Sequence, residues 1–201
     1  MKFFIITCVA LLIFSAAATA LAQRRDYMTD PEIELVRDNQ DIDKRIQVLT
    51  KMIDRRFTAL GVEVGGWKQS GKDEKTWGTA PTGTPSNLLA DIRQVQQKAV
   101  DDVDDVAEHN ENTLTQNKTE GLLFPAGVRS LASAAARYQP ALKTLLDKTK
   151  DERDKGVILT SMELCQEIID SVTKLPAETK QEEKKRTKEE EKKKNKKKSN
   201  T

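Results

Sequence analysis

The amino-acid sequence predicts an all-α protein: a small antiparallel bundle of three to four helices, with one long Gly/Thr/Pro loop and a charged C-terminal tail. Three observations lead there. Apolar residues recur at threes and fours over separate stretches of the chain, which is the helical period. Helix-start signals precede several of these stretches. Gly, Pro, Thr and Lys collect in a single segment that cannot sustain a helix. These features divide the chain into a signal peptide (1–22), an N-terminal lead (23–30), a helical domain (31–175) and a low-complexity tail (176–201).

Lys2 is a short basic start, and Phe3 to Phe14 is an unbroken apolar run. Ala20-Leu21-Ala22 then supplies the small-x-small pattern read by a signal peptidase, so cleavage after Ala22 makes Gln23 the first mature residue. The competing reading is a retained N-terminal membrane anchor, since Phe3 to Ala22 reaches the roughly 20 residues needed to span a bilayer. Ser15, Thr19 and the alanines weaken that span, and Arg24 and Arg25 oppose the usual charge bias of an N-in anchor. The sequence therefore points to a periplasmic or secreted protein.

The first mature helix is expected from about Pro31 to Leu60. Asp30 offers a cap, Pro31 suits the first helical position, and Glu32 places acid near the positive end. Leu35, Ile42, Ile46, Leu49, Ile53, Phe57 and Leu60 form its apolar stripe. Asn39 and Arg56 stand where an unbroken heptad would be apolar. A polar Asn in a seam sets register in dimeric coiled coils, so a homodimer through residues 35–60 competes with intramolecular packing. The added Met52 and Phe57 widen the stripe and favour packing within the chain.

Residues 61–85 follow as the long loop, a length that inside a compact domain is either functional or disordered. The second helix is expected from Ser86 to Asn117, with Leu88, Leu89, Ile92, Val95, Ala99, Val103, Val106 and Leu114 on one face. The third covers about Gly127 to Lys155, with a kink or a division at Pro140. For the last helix, Thr160 and Glu163 read as a capping box, with Leu159 and Leu164 as its hydrophobic staple. Pro176 ends it.

Composition bounds the function. Residues 23–173 hold 21 basic and 26 acidic residues, whereas Lys174 to Thr201 hold 12 basic and 6 acidic, so an acidic body carries a basic tail. The mature chain keeps only Cys165 and six aromatic residues, so packing of Leu, Ile, Val and Ala must carry stability without an intrachain disulfide. The tail has no apolar residue beyond Ala177 and is read as disordered or a lone helix.

Gly66 to Lys72 resembles a phosphate-binding loop, but Asp73 stands where Ser or Thr would ligate magnesium, and no strand precedes it. Asp101, Asp102, Asp104, Asp105, Glu108 and His109 resemble metal ligands, yet their spacing reads as a solvated acidic face. Ser171 to Lys174 makes an isolated Ser-x-x-Lys without companion motifs. His109 is the single histidine, and Cys165 lies within an apolar stripe.

No cofactor or metal and no nucleic-acid partner is expected. The leading expectation is an exported, non-enzymatic helical binding or structural protein of the cell envelope or periplasm, contacting an unknown protein or envelope component. Trp67 and Trp77, two large rings on a polar loop, either pack back over the bundle and order the loop, the favoured reading, or are the candidate ligand or partner contacts. One alternative is tethering to anionic surfaces through Lys192, Lys193, Lys194, Lys196, Lys197 and Lys198. The other is an enzyme of unrecognised type built on the Trp-bearing loop.

Overall fold

The computed structural model describes residues 25–109 and 123–177. The signal peptide, the expected helix end near Asn117 and the lysine contacts of residues 192–198 lie outside these residues. Among the described residues the regular structure is all helical, with six α-helices and no strand. They are α1 (Asp30–Asp38), α2 (Ile42–Ala59), α3 (Glu74–Trp77), α4 (Pro85–His109), α5 (Leu123–Lys148) and α6 (Glu152–Ser171). A 3₁₀ turn, Val172–Lys174, follows α6. No helix among these residues is long and apolar enough to cross a membrane.

The expected first helix is two. Thr29, one residue before the expected cap, precedes α1, and the Glu32 carboxylate turns back to accept its N–H at 2.9 Å. Asn39 ends α1: its side-chain amide donates to the Leu35 carbonyl at 2.7 Å, taking a backbone acceptor that the helix would have used. Arg45 then holds the break by donating to the Asn39 carbonyl and the Gln40 side chain. The polar residue in the seam position divides the expected helix.

α2 is the central element and packs against both α4 and α5. Ile46, Leu49, Met52, Ile53 and Phe57 are all fully buried. The part of the apolar stripe from Ile46 to Phe57 is thus buried within the chain. Ile92, Val95 and Ala99 face it from α4, and Leu131, Ala135, Tyr138 and Leu142 face it from α5. Phe57 and Tyr138 stack with ring centroids 5.2 Å apart. α4 starts where the Thr84 hydroxyl accepts the Asn87 N–H at 3.2 Å, with Pro85 at the first helical position.

α5 runs unbroken through Pro140 rather than dividing there. The proline is exposed and Ala136, whose carbonyl it leaves without its usual helical donor, is exposed too, so the missing bond lies on the solvent side of the helix and costs little. The helix ends at Lys148, earlier than expected, because a new helix begins at once. Asp151 caps α6, its carboxylate accepting from Arg153 N at 2.8 Å and Asp154 N at 3.2 Å. The Thr160–Glu163 capping box therefore does not form. Thr160 lies inside α6 and its hydroxyl donates to the Gly156 carbonyl, while Leu159, its expected staple, is 48% exposed. Packing of α6 along α4 and α5 extends the helix a full two turns before the local signal.

Candidate functional site

The residues that set this chain apart lie on one side of α2, where a charged layer is buried against α1, the loop and α4. Glu32 is fully buried, and so, to within a few per cent, are Arg55, Arg56 and Asp91. Glu32 Oε1 accepts from Arg55 Nη1 at 2.6 Å and Arg56 Nη1 at 2.9 Å, and its Oε2 accepts from Arg56 Nη2 at 2.8 Å. Arg56 also donates to the Tyr27 and Met52 carbonyls. Asp91 on α4 receives Arg25 Nη2 on both oxygens at 2.5 Å and lies 3.7 Å from Arg56 Nε. Two carboxylates thus meet three guanidinium groups, the arrangement that makes burial of such charge tolerable. Burial pushes the Glu32 carboxyl up, but the hydrogen bond and charge of Arg56, the Thr29 amide and Arg55 together hold it below the usual carboxylate range. For Asp91 burial prevails over Arg25 and Arg56, and its carboxyl is raised.

The same layer fastens the loop. Arg55 Nη2 donates to the Trp77 and Thr79 carbonyls at 3.1 and 2.6 Å, and its Nε donates to Gln69 Oε1 at 2.8 Å. Gln69 in turn donates to the Gly78 carbonyl. Gly78 ends α3, the single helical turn inside the expected loop, at φ +66°, a backbone region that glycine enters without strain.

A second buried carboxylate, Asp54, takes hold from the far side. It accepts from Trp67 N at 2.7 Å, Tyr138 Oη at 3.0 Å and Arg137 Nη1 at 3.4 Å. Burial raises its carboxyl in spite of these partners, and burial raises the Tyr138 hydroxyl strongly, aided by the Asp54 charge. Gly66 is required here, because any side chain at that position would run into the Asp54 carboxylate. The apparent phosphate loop is therefore filled by the protein's own acids: Asp54 holds the Trp67 amide, and Asp73 accepts from Ser70 N and Oγ.

Trp67 and Trp77 come together, with centroids 5.0 Å apart and planes tilted by 40°. Trp77 is only 6% exposed and belongs to the core, whereas Trp67 is half-buried and reaches solvent. Lys51 Nζ lies 5.6 Å from the Trp67 centroid and 5.9 Å from that of Trp77, a cation set over two aromatic faces.

The other candidate residues are dispersed. Asp101, Asp104, Asp105, Glu108 and His109 are exposed, and no group of metal-ligating side chains converges among the described residues. Asp102 departs from the solvated face expected for it: it is buried and paired with Lys98 at 2.7 Å and Arg45 at 3.7 Å. Ser171 donates to the Ile168 carbonyl, a helix-end bond rather than an activated nucleophile. Cys165 is fully buried, and desolvation pushes its thiol up to about 12 even with Gln96 donating to the sulfur. Sequence reasoning missed Glu32, Asp54, Arg55, Asp91 and Arg137. The available signal was Arg56, a charge inside an apolar stripe. No family model, curated protein or solved structure matches the chain.

Proposed function

We propose that this chain is an exported, non-enzymatic helical protein that acts by binding, with the Trp67 face of its loop as the contact surface. In this reading the long helices α2, α4, α5 and α6 serve as an antiparallel bundle, a rigid scaffold for the loop. One observation carries the reading. Buried Arg55, itself neutralised by Glu32, spends three hydrogen bonds on the loop, and buried Asp54 spends another. A loop with no more than a linking role needs no such fastening, whereas a contact surface gains affinity from being ordered in advance. What is ordered is a partly buried indole beside an ammonium group, and tryptophan is among the residues that carry most of the energy of protein contacts. The export half of the proposal rests on Lys2, the Phe3–Phe14 run and Ala20-Leu21-Ala22.

The test is capture from the source organism's envelope and extracellular fractions, using the mature protein, Trp67→Ala and a chain lacking residues 178–201. Loss of one defined partner with Trp67→Ala alone supports the proposal. Loss with the truncation alone moves the contact to the tail, the second reading that the basic excess beyond Lys174 favours. A partner retained by both variants removes both readings.

A further inference from the structure

An open cleft of about 440 Å³ lies between the chain leaving α2 and the middle of α5. Val62 and Val64 form one wall, and Pro140, Ala141 and Thr144 form the other. The first four are aliphatic, and the Thr144 hydroxyl proton is committed to the Pro140 carbonyl. Two charged residues also line the cleft, Glu63 and Arg137. Glu63 is exposed and paired with Lys68 at 2.6 Å.

Arg137 is the informative one. Its Nη1 is anchored by the Val64 carbonyl at 3.0 Å and Asp54 Oδ1 at 3.4 Å, and its guanidinium carbon sits 5.2 Å from the Tyr138 ring centroid. Its Nε and Nη2 have no partner among the described residues, and the side chain is 33% exposed. A guanidinium fixed along one edge and open along the Nε–Nη2 edge presents two parallel donors, the geometry that matches a planar two-oxygen anion.

We infer that this cleft binds a small aliphatic carboxylate, its two oxygens on the open edge of Arg137 and its chain along Val62, Val64 and Ala141. The volume falls in the range of small-molecule sites. The walls offer no aromatic surface, which selects an aliphatic chain. The charge count selects a monoanion, because one guanidinium already shared with Asp54, next to Glu63, cannot balance a second negative charge. The site uses none of the Trp67 surface and stands or falls separately from it.

Octanoate is the probe. Binding to the full mature protein is followed by chemical-shift changes at the Val62, Val64 and Ala141 methyl groups. Saturable binding is expected, with 1-octanol at least tenfold weaker because the alcohol leaves the guanidinium edge unmatched. Arg137→Gln should bring octanoate down to the level of octanol. Because that change also disturbs Asp54, Thr144→Phe serves as a second variant: it fills the cleft from an exposed helix position, leaves the Arg137 bonds intact and should abolish octanoate binding. Equal affinity for octanoate and octanol, shifts confined to other residues, or unchanged binding in Thr144→Phe each overturns the proposal.

Discussion

The two sides of this molecule are held together by opposite means. Where α1 and the loop meet α2, the contact runs through buried ions: Glu32, Arg55 and Arg56, with Asp54 and Asp91 beside them. Where α5 meets α6 the contact is apolar: Ala132 and Ala134 on one helix and Ile158, Cys165 and Ile168 on the other belong to the buried core. A surface bond between Gln139 and Gln166 adds little. The difference follows from what each side must hold. Two long helices joined by three residues, Thr149 to Asp151, bury a continuous apolar face and need no directional bonds. A nine-residue helix and a polar loop have too few apolar groups for that, so they are positioned by groups that bond at fixed angles.

The contrast is broken most severely by Glu32→Gln. It leaves two buried guanidinium groups without their carboxylate, and a loss of about 3–5 kcal/mol is expected in denaturant unfolding. Early proteolysis in the loop should accompany it, because Arg55 no longer has a fixed position from which to hold the Trp77 and Thr79 carbonyls. Proteolysis starting instead at the α5–α6 connection would contradict the division. The triple change Glu32→Leu, Arg55→Met and Arg56→Leu should cost less than the single one, since it removes the charges along with their pairing.

Asp54→Asn is next, at roughly 1–3 kcal/mol, because the amide puts a donor in place of one of the two oxygens that accept from the Trp67 amide, the Tyr138 hydroxyl and Arg137. Its readout is a red shift and increased quenching of tryptophan fluorescence. Unchanged emission would mean that Asp54 does not position Trp67.

Acid sharpens the comparison further. Glu32 is held below its ordinary value of 4.5, so its contribution is complete above that pH and is lost as pH falls through the lower folded value. Asp54 and Asp91 are raised above 3.8, so each stabilises the fold more when protonated, and that gain disappears as pH rises through the raised folded values. The expected result is that Glu32→Gln flattens the acid-side loss of stability. Asp91→Asn should remove the opposing gain. Urea midpoints between pH 2.5 and 7 report both, and identical pH profiles in wild type and Glu32→Gln would refute the assignment.

On the apolar side, Asp151→Ala should cost about 1 kcal/mol, because it removes the α6 cap. Thr160→Ala should change stability by under about 0.5 kcal/mol, because its hydroxyl bonds only within the helix. Thermal unfolding decides between them; the reverse order would place the helix start at Thr160 after all. The smallest effect expected is Leu159→Glu, within about 0.5 kcal/mol, since that side chain is nearly half exposed.

Much of this was legible in the residues. The helical periodicity, the apolar faces of α2 and α4, the start near Ser86 and the burial of Cys165 follow from local pattern, because an amphipathic face records which side a helix will bury. Four things were not. Asn39 resembled a seam residue, and only its bond to Leu35 makes it a terminus. Thr160 and Glu163 match a helix start that the packing of α6 overrides. The single turn at Glu74–Trp77 is too short to carry a period. The charged layer was hidden because its partners are far apart in sequence: Glu32 meets Arg56 across 24 positions, and Tyr138 meets Asp54 across 84.

The sequence by itself therefore determined which faces are apolar, and with them an all-helical chain. The tertiary structure alone decided which charges pair, and so where Trp67 and Arg137 stand. The reason is physical. Burial of apolar surface depends on the residues of one segment and has no direction, whereas a buried ion pair exists only once two distant segments have brought its halves within bonding distance at the right angle.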